Sequence, residues 1–183
     1  GQSIPSYILK DNTGGNTITN AKATLGRVLF YDKRLSIDSS VACASCHIQQ
    51  FAFGDTAIRS RGVLGGLTGR HSMRLVNARF STEVKFFWDE RAATLEAQTT
   101  KPIQDHSEMG FSGQSGRSNL ADLLSRMSKL GYYTELFQFV YGDVNITEAR
   151  LQECLSQFVR SIQSFDSKYD EGRRQVTADN VDF

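Results

Sequence analysis

The chain has 183 residues, 39% hydrophobic, 10% aromatic and 22% charged, the balance of one globular domain with a real core, or of a domain plus a tail. Its 21 basic and 20 acidic residues leave a net charge of +1. The only basic cluster is the short "EGRRQ" near the C-terminus, which makes no case for nucleic acid. No apolar run reaches membrane length, no signal peptide is visible, and the 3 cysteines do not make a disulfide scaffold at this length.

In chain order, residues 1–20 are polar, with Gly14-Gly15 and several Asn and Thr, and read as an N-terminal arm. "NAKATLGRVLFYD" starts a helix with Asn20 as N-cap. Ala21, Leu25, Val28 and Leu29 form its apolar face. Gly26 weakens that helix and so marks a close approach to a partner. Residues 54–72 are glycine-rich and aperiodic, a loop that must pass close to something flat or bulky; the Gly-Lys-Ser/Thr ending of a phosphate cradle is missing. "MRLVNARF" and "LEAQTTKPIQD" read as short helices, the second ended or kinked by Pro102. Ser118 is the expected cap of a helix carrying Leu120, Leu123, Leu124 and Met127, with Gly131 as its stop. "YYTELFQFVYGD" is an aromatic helix closed by Gly142. The strongest pattern is "TEARLQECLSQFVRSIQSF", where Leu151, Cys154, Leu155, Phe158, Val159, Ile162 and Phe165 make one stripe behind a Thr147 cap. Cys154 reads as a small buried hydrophobe. Residues 166–183 are charged and aperiodic, a linker leaving the domain. No alternating strand appears. The expected architecture is all-α, with long irregular loops around a domain at 21–165.

"VACASCH" carries the chemistry. A Cys43-x-x-Cys46-His47 run serves a zinc site, a redox pair, a structural pair or covalent haem. Zinc needs four ligands, and His71 and His106 lack finger-like spacing. A redox pair sits in a strand–helix setting, which is not visible here. A structural pair leaves His47 unexplained. Covalent c-type haem uses all three residues: two thiols on one helical turn each add to a vinyl group, and the next residue offers its imidazole to the iron.

"LGRVLFYDKRLSIDSSVACASCH" and "FFWDERAATLEAQTTKPIQDHSEMG" closely resemble the N-terminal domain of the bacterial di-haem cytochrome c peroxidases and the related MauG-type enzymes. The likeness covers roughly residues 22–165. It implies a cytochrome c-like domain carrying haem c, with Cys43 and Cys46 as thioether links and His47 as proximal iron ligand. Glu108 falls on the distal acid–base glutamate, with Gln98 beside it. Phe87 and Trp88 match the aromatic pair near the haem, Trp88 lying toward a second haem, and Pro102 matches a distal proline. The implied activity is periplasmic reduction of hydrogen peroxide, with electrons from a second haem domain and a small donor, a cytochrome c or a cupredoxin. The resemblance leaves room for a homodimer of the full-length form. Only one CxxCH is present, so a fragment ending in a linker toward the second haem domain is expected.

Two positions depart from the family pattern. The histidine that ligates the resting haem in many members is replaced by Val63, which cannot ligate iron, so a five-coordinate or water-bound iron is expected. Near the interdomain calcium, the usual asparagine is replaced by His71 in Arg70-His71-Ser72; calcium prefers carbonyl and amide oxygens to imidazole, which speaks against calcium here. His71 is an alternative sixth iron ligand, and His106 either faces solvent or tunes Glu108 by its charge. Two rival readings stay open. One is a single-haem electron carrier sealed by Met73, Met109 or Met127. The other is MauG-like oxidation of a protein substrate.

Overall fold

The computed structural model describes residues 3–81 and 85–177. Eight α-helices are joined by long irregular segments: α1 Asn20–Tyr31, α2 Cys43–Cys46, α3 Leu95–Thr99, α4 Lys101–Gln104, α5 Leu120–Ser128, α6 Gly131–Tyr141, α7 Glu148–Ser161 and α8 Lys168–Thr177. Among the described residues there is no strand. Isolated bridges at Ile48–Gly54, Arg61–Leu67 and Phe86–Ala92 pinch three loops instead. The all-α reading holds.

The frame is α1 packed on α7. A Cβ built on Gly26 would lie 1.9 Å from the Cys154 carbonyl oxygen, so only hydrogen at that position permits the observed spacing. Leu25, Leu29, Leu151, Cys154 and Leu155 are all buried at the crossing. The α1 cap is Thr19 rather than Asn20: Thr19 is extended, and its hydroxyl accepts from the Lys22 N–H. Thr147 caps α7 in the same manner.

α7 is buried beyond its apolar stripe, for Ser156, Gln157 and Arg160 are buried too. The arm at 3–19 covers this polar side. Asn16 Nδ2 donates to Glu96 Oε1 and to Ser156 Oγ, both at 2.9 Å, and Gln157 Nε2 donates to Asn16 Oδ1 at 2.6 Å. Arg160 donates to the Asn12 side chain and carbonyl, each at 2.9 Å, and pairs with Glu96. A polar, aperiodic segment is thus fixed to the core by side-chain amides that satisfy otherwise orphaned buried groups.

Several local expectations are corrected. Residues 73–77 are not helical; only Ala78–Phe80 makes a 3-10 turn. Asn77 takes the left-handed region (φ 60°), and its amide brackets Ser164, donating to its carbonyl at 2.8 Å and accepting from its N–H at 3.0 Å. That tertiary clamp outweighs helical periodicity. α5 is capped by Asn119, not Ser118, with Asp122 returning the bond to the Asn119 N–H. Gly131 does not stop α5, which ends at Ser128 with Lys129 as its C-cap; it opens α6, which Gly142 closes at φ 81°. The helix is interrupted at Thr100, so Pro102 sits in the first turn of α4, where its missing N–H is harmless. Residues 168–177, expected to be aperiodic, form α8. Ser167 and Asp170 cap each other at its start, and Tyr7 donates to Asp170. Residues 178–183 of the expected linker lie outside the described residues.

Candidate haem site

α2 is a single turn, with Cys43 and Cys46 at its two ends and His47 as its C-cap. The His47 N–H donates to the Cys43 carbonyl (2.9 Å). Its ring Nδ1 lies 3.0 Å from the Phe53 carbonyl. A carbonyl only accepts, so Nδ1 carries the proton and Nε2 keeps its lone pair for a metal. The Phe53 carbonyl is placed by a tight turn in which Ala52 and Phe53 both have φ 56°, closed by Ile48 N–H to Gly54 O at 2.8 Å. Phe30 packs against His47, Phe53 and Phe158. Burial pushes the Cys43 thiol up to about 12 and raises Cys46. Burial lowers the His47 imidazole, partly offset by the carbonyls of Phe53 and Met73.

These three residues line a cavity of about 480 Å³, within the ~300–1,000 Å³ usual for cofactor sites. The same cavity is lined by Phe87, Trp88, Gln98, Pro102 and Glu108. The structure therefore brings every site residue expected from sequence to one wall or another of a single cavity. Gln98 comes from α3 and Pro102 from α4. Phe87 and Trp88 come from a bridged loop in which Phe87 has φ 73°. Trp88 is 60% exposed, and its indole N–H donates to the His71 carbonyl at 2.9 Å.

Glu108 is half-buried and held by backbone on several sides. Asp105 Oδ1 accepts from the Ser107 and Glu108 N–H groups at 2.8 and 3.0 Å. The Val63 N–H donates to the Glu108 carbonyl at 3.1 Å, and the Ile37 N–H to the Met109 carbonyl at 2.9 Å. A Cβ on Gly62 would fall 1.7 Å from the Ser107 carbonyl oxygen. The glycine-rich loop thus passes close to the Glu108 segment. Burial raises the Glu108 carboxyl to about 6; neighbouring Asp105 adds to this, and Arg91 opposes it.

Other histidines and methionines are sorted by the same geometry. His71 lines the cavity, but its Nδ1 is tied to the Ala57 carbonyl at 2.9 Å. His106 is half-buried against Ser112 Oγ (2.9 Å) and is not in the lining. Met73 and Met109 line the cavity, whereas Met127 sits in the hydrophobic core, which corrects its place among candidate iron ligands. Val63 is buried outside the lining and acts on Glu108 through its backbone. Sequence reasoning missed Arg91 and Asp105. Arg91 lines the cavity and stacks 3.5 Å over the Phe87 ring. Asp105 stands three residues before Glu108, a spacing at which an Asx side chain caps its own turn.

The residues fit a c-type haem. Two thiols share one helical turn and an imidazole keeps its Nε2 free, all facing a cavity of cofactor size. The side chains of Gln98 and Glu108, in the same lining, make no hydrogen bond among the described residues. The fold and site together define a cytochrome c-like, all-α haem domain.

Comparison with known proteins agrees. The sequence model of di-haem cytochrome c peroxidases matches residues 20–178, and the chain belongs to that family, which implies haem c. It is 33% identical over 155 residues to the methylamine utilization protein MauG of Methylophilus methylotrophus, covering 85% of this chain and 44% of that protein. It is 31% identical over 153 residues to the cytochrome c peroxidase Ccp of Escherichia coli K12, covering 84% and 31%. A crystal structure of a MauG-like protein associated with microbial copper homeostasis superposes with a TM-score of 0.82 at 29% identity, covering 96% of this chain and 50% of that one. The chain spans less than half the length of these curated relatives. Among the described residues no helix is long and apolar enough to cross a membrane.

Proposed function

We propose that this chain is the peroxide-reducing haem domain of a periplasmic two-haem cytochrome c peroxidase. Cys43 and Cys46 would hold haem c through thioethers and His47 Nε2 would hold its iron. The observation that carries the reading is Glu108: a carboxylate raised to about 6, its side chain without a hydrogen-bond partner among the described residues, in the same cavity as the cysteine pair and His47.

When bound, haem supplies the redox chemistry that breaks the peroxide O–O bond. The chain supplies proton handling and orientation. A Glu108 carboxylate oxygen takes the proton from one peroxide oxygen and returns it to the other, which leaves as water. A carboxyl near 6 does both, since neither form is strongly preferred at working pH. The Gln98 amide donates to the peroxide and fixes its direction. Reduction to two waters takes two electrons and two protons. The electrons come from the second haem domain, fed by a donor cytochrome or cupredoxin, and Trp88 at the exposed rim is the ring on their route.

In the full natural chain matured with its haems, Glu108→Ala should cut peroxide turnover roughly a hundredfold or more; an unchanged rate would remove Glu108 from the reaction. An absorption spectrum separates this reading from the electron carrier, because an iron–methionine band from Met73 or Met109 would mean a sealed iron. Exposure of Trp88 also favours a second reading, oxidation of a protein substrate docked at the rim. Trp88→Phe would then abolish protein oxidation while leaving the first, peroxide-consuming step intact.

A further inference from the structure

The cavity wall carries four permanent cations, Arg70, Arg74, Lys85 and Arg91. Three of them are engaged by acids of the same loop. Arg70 and Arg91 each meet Asp89 at 2.8 Å, and Lys85 lies 3.9 Å from Glu90. Arg74 makes neither an ion pair nor a hydrogen bond among the described residues. The acids of the lining do not serve it: Asp105 Oδ1 is engaged with the turn before Glu108, and the cation that acts on Glu108 is Arg91.

The position of Arg74 is set by its surroundings. Residues 73–77 run along the lining in consecutive order, and the Asn77 clamp on Ser164 fixes their far end. The Arg74 stem lies on Gly54, where an added Cβ would come within 3.0 Å of Arg74 Cγ. Gly54 belongs to the same turn as Phe53, whose carbonyl orients His47. A guanidinium without a partner is thereby held beside the proximal residues, at the wall of a cavity sized for a cofactor. Guanidinium recognises carboxylate through a planar two-bond fork, and haem brings two propionate carboxylates with it.

Resting on the haem reading above, we infer that Arg74 is the anchor for a propionate carboxylate of the haem seated in this cavity. Asp89 and Glu90 leave the other cations of the wall committed. Arg74 is a positioning residue: it fixes the cofactor's orientation and sets its charge environment, and it does not touch peroxide.

The test uses the full natural chain with its haems, as wild type, Arg74→Gln, Arg74→Lys and Arg70→Gln. The mass of the peptide carrying Cys43 and Cys46 first establishes that haem is attached there. The midpoint potential of that haem and the infrared carboxylate bands that change on its reduction are then recorded. Losing the Arg74 cation should lower the midpoint, because a positive neighbour disfavours ferric haem, and should shift a propionate band. Arg74→Lys should retain most of the midpoint. Arg70→Gln should leave the propionate band near wild type and move the midpoint less than Arg74→Gln does, because Arg70 is already held by Asp89. Unchanged midpoint and bands in Arg74→Gln would overturn the assignment, as would equal shifts in Arg70→Gln and Arg74→Gln, which would indicate surface charge alone. A wild-type Cys43–Cys46 peptide with the mass of the bare polypeptide would sink the haem reading itself, an outcome distinct from both.

Discussion

At the residue scale, Glu108 shows how a site sets chemistry against stability. Its carboxyl sits at about 6 against a reference of 4.5. The folded protein therefore holds this proton more tightly than the unfolded chain, and the resulting stability is complete below about pH 4.5 and lost as pH rises through 6. At neutral pH the protein carries a half-buried carboxylate without a hydrogen-bond partner among the described residues, only partly compensated by the charge of Arg91. Glu108→Gln should stabilise the fold at pH 7–8 by roughly 1 kcal/mol, with screening of a half-buried group taken into account, while slowing peroxide turnover roughly a hundredfold. Urea unfolding at pH 5 and pH 8 checks the first half, since the gain should shrink at the lower pH. In the wild type, turnover should fall as pH drops below about 6, because the proton-accepting form of Glu108 is then depleted. A profile flat through that region would assign the proton step to another group.

At the scale of elements, two glycines set distances that no other residue allows. Gly26→Ala gains about 1 kcal/mol of helix propensity but drives a methyl into the Cys154 carbonyl, a backbone atom that cannot rotate away. The net loss should be about 2 kcal/mol, read as a lower denaturation midpoint; a gain would mean that α1 and α7 are not in contact there. Gly62→Ala pushes on the Ser107 carbonyl, so it should depress turnover and displace the Glu108 pH profile more than it lowers the unfolding midpoint. The Gly26 contact was legible in the sequence because a glycine inside a regular apolar pattern weakens its helix and is kept where a neighbour leaves no room for a side chain. The Thr147 cap and the α7 stripe were legible because they are local. Residues 73–80 misled because their periodicity was real but Asn77 answers to Ser164, 87 residues away. α8 was missed because its packing is an Asp170–Tyr7 bond across the chain, although the Ser167-x-x-Asp170 spacing carried a cap signal. In the site, Cys43, Cys46 and His47 were readable from spacing, while Gln98 and Glu108 needed the family resemblance. Arg74 matters because no carboxylate of the wall reaches it and Arg91 because the fold brings Glu108 within its field, and a linear pattern encodes neither.

At the scale of the molecule, one buried polar cluster ties three distant segments together and connects the site to the acid stability of the whole. Arg160 is 2% exposed. It pairs with Glu96 on α3 and bonds Asn12 of the arm, while Asn16 bridges Glu96 to Ser156 on α7. Glu96 stands two residues before Gln98, so the cluster also seats the helix that carries a cavity residue. Burial alone would raise the Glu96 carboxyl, but the Arg160 and Asn16 bonds outweigh it and hold it at about 2. The sign is opposite to that of Glu108. The folded state binds the Glu96 proton more weakly than the unfolded chain, so this stabilisation is full above about pH 4.5 and disappears as pH falls toward 2. Asp11 of the same arm, held at about 2 by Arg79 of the Ala78–Phe80 turn, contributes a second slope in the same window. Glu96→Gln should cost about 3 kcal/mol or more at pH 7, because it leaves Arg160 a buried cation without its counter-charge. The same variant should lose part of the pH dependence of unfolding between 4.5 and 2, keeping the share of Asp11 and of the other acids whose carboxyls are held low, Asp32 and Asp170 among them. Urea midpoints measured across that range for both proteins decide it. Parallel curves for wild type and variant would show that the arm, α3 and α7 are not held together through this charge, and that Gln98 is seated by apolar packing alone.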